Sequence, residues 1–212
     1  MAHELDLLEL AAAWRSEGRR VALATVVATW GSSPRPPGSQ LLADDSGRFM
    51  GSVSGGCIEG EVMHRAQEVI ETGEPELLEF GIANEDAWSV GLSCGGRIQV
   101  FVEPVDRMKS DVLSSILRAK RAKVPVALLT QLRTGGQIVV GPVSAPDDTE
   151  IDPAAIRRSR ELLAEDRSER FDSASGPVFI QVFNPPCKLI LAAPCTSRSH
   201  WRASALSRAT RS

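Results

Sequence analysis

GSSPRPPGSQLLADDSGRFMGSVSGGCIEG, from Gly31 to Gly60, decides how the rest of the chain is read. Pro34 to Gly38 forces a rigid extended turn, because proline fixes φ and glycine releases it. Gln40 to Ala43 and Arg48 to Val53 then read as a hairpin around Asp44-Asp45-Ser46-Gly47. Gly55-Gly56 leads into Cys57 at the entry of a helix, in which Glu61, Val62, Ala66, Val69 and Ile70 follow and which Gly73 closes. Downstream, GLSCGGR from Gly91 to Arg97 again sets a thiol beside a Gly-Gly pair. Such pairs let backbone N–H groups approach a ligand or adopt positive φ, and neither role packs a core. Both loops read as built to hold something.

Outward from this stretch, Leu5, Leu8, Leu10, Ala11 and Trp14 repeat at helical spacing up to Gly18, which predicts a helix from about His3 to Glu17. Val21 to Trp30 is β-branched and strand-like, as are Leu77 to Phe80 and Arg97 to Glu103. Gly81 to Gly96 is a long loop carrying Asn84, Glu85, Asp86 and Trp88, and loops of that length are functional or disordered. Pro104 ends a first unit, residues 1–105. A second α/β segment, residues 106–186, has helix Ser110 to Arg121, strand Pro125 to Leu132, a Thr134-Gly135-Gly136 turn, strand Gln137 to Val140, helix Pro153 to Asp166 and strand Val178 to Phe183. Asn184-Pro185-Pro186 leads into Cys187 to Leu191, a buried-strand pattern that opens residues 187–212. The fold class is α/β or α+β, with mixed sheets and flanking helices; local hairpin pairing argues against a doubly wound core.

With 42% hydrophobic and 24% charged residues, the chain of 212 residues has the composition of a soluble globular protein of one or two compact units. Its longest apolar runs are strand-sized, so no membrane partner is expected, and Met-Ala-His-Glu-Leu-Asp lacks the regions of a signal peptide. The expected compartment is the cytoplasm. Cysteines 57, 94, 187 and 195 show no metal-ligand spacing, so reduced thiols are expected and a structural zinc site is not. A net charge of −3, no tyrosine and no basic block before the C-terminal tail point away from nucleic acid.

The chemistry therefore rests on the two glycine-cysteine loops. A thiol and several N–H groups at a helix N-terminus favour thiolate and anions, although Glu59 and Glu61 in the first turn partly oppose ionisation of Cys57. The bland alternative makes Cys57 a small buried packing residue and Cys94 part of a strand-entry turn. Ser32-Ser33-Pro34-Arg35 offers hydroxyls and a guanidinium to an anion, or is ordinary turn chemistry. His64, one turn into the helix, reads as solvated. Ser-His-Asp order, HExxH and GxxxxGK[ST] do not occur.

VVATWGSSPRPPGSQLL, GSVSGGCIEGEV, LSCGG and IQVFVEP together resemble the N-terminal domain of the XdhC/CoxI family, the xanthine dehydrogenase accessory factors, from about Leu7 to Pro104. The segment ending FNPP resembles the lead into that family's C-terminal Rossmann-type domain. The resemblance implies a cytoplasmic carrier, more than an enzyme, that binds molybdenum cofactor, shields it during sulfuration and helps load it into a molybdenum hydroxylase apoenzyme. A cysteine desulfurase partner and a homodimer fit the same picture. The residues matching the family are Gly31, Ser32, Ser33, Pro34, Arg35, Gly38, Gly55, Gly56, Cys57, Glu59, Cys94, Gly95 and Gly96. Backbone N–H groups and Arg35 would hold the cofactor's phosphate, and Cys57, Cys94 or both would touch molybdenum or relay sulfur.

After Leu191 the composition shifts to Ala, Ser, Arg, Thr and Pro, with no acidic residue, where the resemblance leads one to expect a Rossmann fingerprint. One reading is a disordered basic tail. Another is a frameshift truncating the chain at the first strand of that domain. Back-translated and read one nucleotide earlier, Ala193 to Arg202 permits Gly-Ala-Val-His-Ile-Ala-Gln-Ser-Leu-Ala, and His200-Trp201 forces the leucine. Two rivals to a cofactor carrier are a thiol-dependent oxidoreductase or sulfurtransferase, with Cys57 as nucleophile and Cys94 as resolving thiol, and an interaction module in which both thiols are buried and inert.

Overall fold

The computed structural model describes residues 6–31, 35–81, 96–106, 108, 110–145 and 151–186. The expected strand at Cys187 to Leu191, the tail after it and Cys94 lie outside these residues.

The first helix, α1 (Leu7–Ser16), begins where the Asp6 carboxylate accepts the Leu8 N–H at 3.1 Å, and it buries Leu8, Ala11 and Trp14. It leads into β1 (Val21–Trp30), whose residues from Val21 to Ala28 are all buried. A continuous apolar run of this kind needs cover on both faces. β1 lies at the centre of a sheet ordered β3-β2-β1-β5-β4, formed with β2 (Gln40–Asp44), β3 (Phe49–Gly51), β4 (Glu76–Phe80) and β5 (Arg97–Pro104). The β2–β3 turn is tied by the Asp44 carboxylate, which accepts from Ser46 and Arg48 N–H and pairs with Arg19 at 2.8 Å. The second hairpin strand was expected to reach Val53 and stops at Gly51. There φ is +90°, and a Cβ would stand 2.3 Å from the Gln40 carbonyl oxygen. Helix α2 (Glu59–Thr72) packs Val62, Ala66, Val69 and Ile70 onto one face of the sheet and ends at left-handed Gly73.

The second half forms a sheet ordered β7-β6-β9-β8 from β6 (Val126–Gln131), β7 (Gln137–Val140), β8 (Glu169–Ser173) and β9 (Gly176–Phe183). Helix α4 (Pro153–Glu165) covers its outer face, capped at its start by Asp152, whose carboxylate takes the Ala154 N–H at 2.7 Å. Every described strand pairing in both sheets is antiparallel, so of the two classes left open the α+β one is observed. Strand β8 was not foreseen. In Glu-Arg-Phe-Asp-Ser a single apolar residue gives no period-two pattern, and the strand is held instead by β9 and by the Arg158–Glu169 ion pair at 3.0 Å.

The two sheets face each other. Val27 and Phe101 of the first pack on Leu132 and Phe179 of the second half, while α1 and α3 (Ser110–Ala122) fill the space beside them with Leu8, Trp14, Val112 and Ile116. The layer between the sheets is also polar. Gln40 donates to Thr25 Oγ1 and to Gln181 Oε1, both at 3.3 Å, and Gln181 donates to the Gly38 carbonyl at 3.3 Å. Glu103, 5% exposed, accepts from Gln137 Nε2 at 2.9 Å on both carboxylate oxygens. Burial pushes its pKa up to about 8, and the Gln137 hydrogen bond only partly opposes this.

Candidate functional site

Antiparallel register gathers the sequence motifs at one rim of the first sheet. Trp30 ends β1 opposite Arg97, which starts β5; Gln40 starts β2, and Gly51 ends β3 opposite Leu41. Gly31, Gly38, the Gly55-Gly56-Cys57 loop and Gly96 all adjoin strand ends at that rim.

The loop from Ser52 to Ile58 is pinned at both ends. Val53 and Ile58 are buried in the core beneath α2, whereas Gly55, Gly56 and Cys57 are exposed between them. The interior of the loop is filled by the carboxylate of Glu59. Its Oε1 accepts from Ser52 Oγ at 2.6 Å, Val53 N at 3.2 Å, Ser54 N at 2.9 Å and Gly55 N at 3.0 Å. Its Oε2 accepts from Gly56 N at 2.8 Å and from the Ser54 hydroxyl. Ser54 Oγ in turn accepts the N–H groups of Cys57 and Ile58 at 3.0 and 3.1 Å. Burial raises the Glu59 pKa, but the Ser52 and Ser54 hydroxyls and the backbone donors outweigh it and hold the carboxyl at about 2. The helix N-terminus acts in the same direction.

This changes the expected role of Gly55 and Gly56. Both adopt the positive φ that the motif demands, +82° and +118°, yet their N–H groups point at the chain's own carboxylate, so they do not form an open cradle for a phosphate. Glu59 is a buttress, and its charge is absorbed by the loop. The structure also decides against a packed Cys57: the residue is exposed, one position ahead of Ile58, the N-cap of α2. The loop presents its thiol on a rigid frame.

The Pro-rich turn is anchored separately. Gly38, at φ +94°, donates to the Val26 carbonyl at 2.8 Å and accepts from Gln181 of the second sheet. Gly31 has φ +72°, Arg35 is exposed and Gly96 is buried at the start of β5. Ser32, Ser33, Pro34, Cys94 and Gly95 lie outside the described residues. His64 is exposed on α2, 3.5 Å from Glu68. Among the described residues no cluster of three or more His, Cys, Asp or Glu side chains could hold a metal ion, and no helix is long and apolar enough to cross a membrane.

Sequence reasoning missed Ser52 and Ser54, whose hydroxyls complete the lock. The signal was present as Ser-x-Ser five residues ahead of a helix-opening glutamate. It also missed the pairing of Trp30 with Arg97, whose guanidinium carbon sits 4.2 Å from the indole centroid.

Comparison with known proteins agrees with this geometry. The profile of the XdhC and CoxI family matches residues 14–81, which include the Pro-rich turn, the Glu59-locked loop and the whole of α2. The chain is 29% identical over 128 residues to the molybdenum cofactor insertion chaperone PaoD of Escherichia coli K12, covering 56% of this chain and 40% of that protein. It is 34% identical over 89 residues to a protein of Bacillus subtilis 168 described as a probable xanthine dehydrogenase subunit, covering 41% of this chain and 27% of that protein. The chain thus spans less than half the length of these two relatives. A crystal structure from Bacillus halodurans, described as a xanthine dehydrogenase, shares the fold with TM-score 0.63 at 24% identity, over 85% of this chain and 53% of that one. Over residues 14–81 the chain is thus similar to the XdhC and CoxI family.

Proposed function

We propose that this protein is an accessory factor that takes up molybdenum cofactor as cargo and delivers it to the apoenzyme of a xanthine dehydrogenase-type molybdenum hydroxylase in the cytoplasm. The observation that carries the proposal is Cys57, an exposed thiol on a loop whose frame is fixed by Glu59 and the Ser52 and Ser54 hydroxyls. A thiolate is a soft ligand suited to molybdenum, and a fixed frame presents it without an ordering cost at the moment of binding. The name of the relative PaoD and the family match over this very loop support the same reading. Arg35, exposed in the Pro-rich turn, would answer the cargo's phosphate, and Gly31, Ser32, Ser33, Pro34, Gly38, Gly95 and Gly96 would shape the approach. Cys94 would supply a second soft ligand that shields the bound cargo while its molybdenum is sulfurated.

The test is to purify the full chain from cells that make the cofactor and to quantify molybdenum and pterin released on denaturation. Cys57→Ser should lose at least about tenfold of both while the circular dichroism and melting temperature stay unchanged, since serine keeps the size and removes the soft ligand. Unchanged retention in Cys57→Ser overturns the assignment. Multiple turnovers with a sulfur donor in place of stoichiometric binding would turn the reading toward a sulfurtransferase.

A further inference from the structure

β1 buries its large apolar side chains until its last residue, where Trp30 is 38% exposed. It stands at the rim that carries the glycine motifs, flanked in sequence by Gly31, while Gly96 precedes its register partner Arg97. Arg97 is held over the indole, its guanidinium carbon 4.2 Å from the ring centroid. Its Nε lies 3.4 Å from Glu79 Oε1, Glu79 Oε2 accepts from Gln99 at 2.9 Å, and Gln99 Oε1 accepts from Arg170 of the second sheet at 3.5 Å. Arg170 is itself paired with Asp172 at 3.0 Å. Gly81 leaves room for the stem of Arg97, because a Cβ there would stand 2.7 Å from Arg97 Cγ. A guanidinium fixed over an exposed indole, with its two terminal nitrogens facing no carboxylate among the described residues, offers both a π surface and an anion-binding edge.

We propose that Trp30 and Arg97 form a stacking subsite for a planar heterocycle bearing a nearby anionic group, which, on the cargo reading above, is the pterin end of the molybdenum cofactor. The ring packs against the Trp30–Arg97 stack, and the terminal N–H groups of Arg97 pair with the anionic substituent. Glu79, Gln99 and Arg170 are positioning residues that hold the guanidinium in register.

The experiment measures binding of 6-carboxypterin, a planar anionic pterin without molybdenum, to the full chain by equilibrium dialysis. Trp30→Ala and Arg97→Gln should each weaken binding by about tenfold, and Trp30→Phe by less. Thermal melts of each variant establish that it is folded. Inorganic phosphate should compete only weakly, because it cannot stack. The subsite is overturned if the wild-type chain does not bind the probe, if folded Trp30→Ala and Arg97→Gln bind it as well as wild type, or if phosphate displaces it fully at equal concentration. The cargo reading fails separately, through molybdenum retention in Cys57→Ser, so pterin binding without molybdenum would leave the subsite standing and remove its proposed cargo.

Discussion

Two glutamates, one at the rim of the first sheet and one in the seam between the sheets, are driven in opposite directions by the same fold. Glu59 is enclosed by hydroxyls and backbone N–H groups and is held at about 2. Glu103 is more deeply buried, takes hydrogen bonds from the amide of Gln137 alone among the described residues, and rises to about 8. Burial opposes the charge in both places, and the number of donors decides the outcome. The rim therefore keeps a fixed negative charge that orders the Cys57 loop, and the seam holds an acid that is mostly neutral at pH 7. The rim is organised for presentation and the seam for cohesion.

The strongest way to break this contrast is to remove the rim carboxylate. Glu59→Ala leaves the hydroxyls of Ser52 and Ser54 and the N–H groups of residues 53–56 without their acceptor, although water reaches the exposed side of the loop. A loss of about 3 kcal/mol in denaturant unfolding is expected, with rapid amide exchange at Ser54, Gly55 and Gly56. In the wild type this contribution is present above pH 4.5, the ordinary value of the carboxyl, and is lost as the pH falls toward the folded value of about 2. A variant as stable as the wild type, with the same acid limb, would show that the lock is decorative.

The seam predicts the opposite sign. Because the folded pKa of Glu103 lies above its ordinary value of 4.5, its contribution is fully present below pH 4.5 and is lost as the pH rises through about 8. Glu103→Gln keeps the shape and removes the ionisation. If the Gln137 amide turns over, the new amide nitrogen can also donate to Gln137 Oε1, which is buried without a hydrogen-bond partner among the described residues. The variant should gain about 2 kcal/mol over wild type at pH 8 and little at pH 5. Denaturant midpoints across that range check it, and a destabilised variant at pH 8 would mean that the carboxylate has a partner in the folded protein.

The same contrast explains what was legible in the sequence. Helices α1, α2 and α4 and strands β1, β5 and β6 carry their period or their apolar runs openly, and α2 ends at Gly73 and α4 starts at Pro153 where they were expected to. The rim motifs were recognisable because glycines at positive φ leave a compositional trace. Their partner was misread. A carboxylate in the same chain, three or four residues away, is present at far higher effective concentration than any phosphate in solution and takes the N–H groups first. The seam was illegible for another reason. Thr25, Gln40, Gln99, Glu103, Thr130, Gln137 and Gln181 look like solvent-facing polar positions of half-buried strands, and only the meeting of two sheets makes them interior. Strand β8 vanished into the same blind spot, its Glu169 being paired with Arg158 of α4 and its Arg170 with Asp172.

The smallest effect tests whether rim and seam are mechanically joined, and the joint is Gly38. Its backbone at φ +94° lies outside the range comfortable for a side chain, and an added Cβ would meet Ser168 Oγ at 3.3 Å. Gly38→Ala should therefore cost about 1–2 kcal/mol. Part of that cost should come from displacing the Gly38 carbonyl from Gln181, whose side-chain amide reaches it at 3.3 Å. Gln181→Ala cuts the same hydrogen bond from the other side, so the two changes should overlap. In a double-mutant cycle the pair should fall short of additivity by about 0.5–1 kcal/mol, measured by denaturant unfolding at one pH. Strict additivity would mean that the Pro-rich turn is held by its own backbone contacts, Gly38 N–H to Val26 and Ser39 N–H to Pro36. The second sheet would then support the rim by packing alone, and changes in the seam, including Glu103→Gln, should leave the reactivity of Cys57 toward an alkylating reagent untouched.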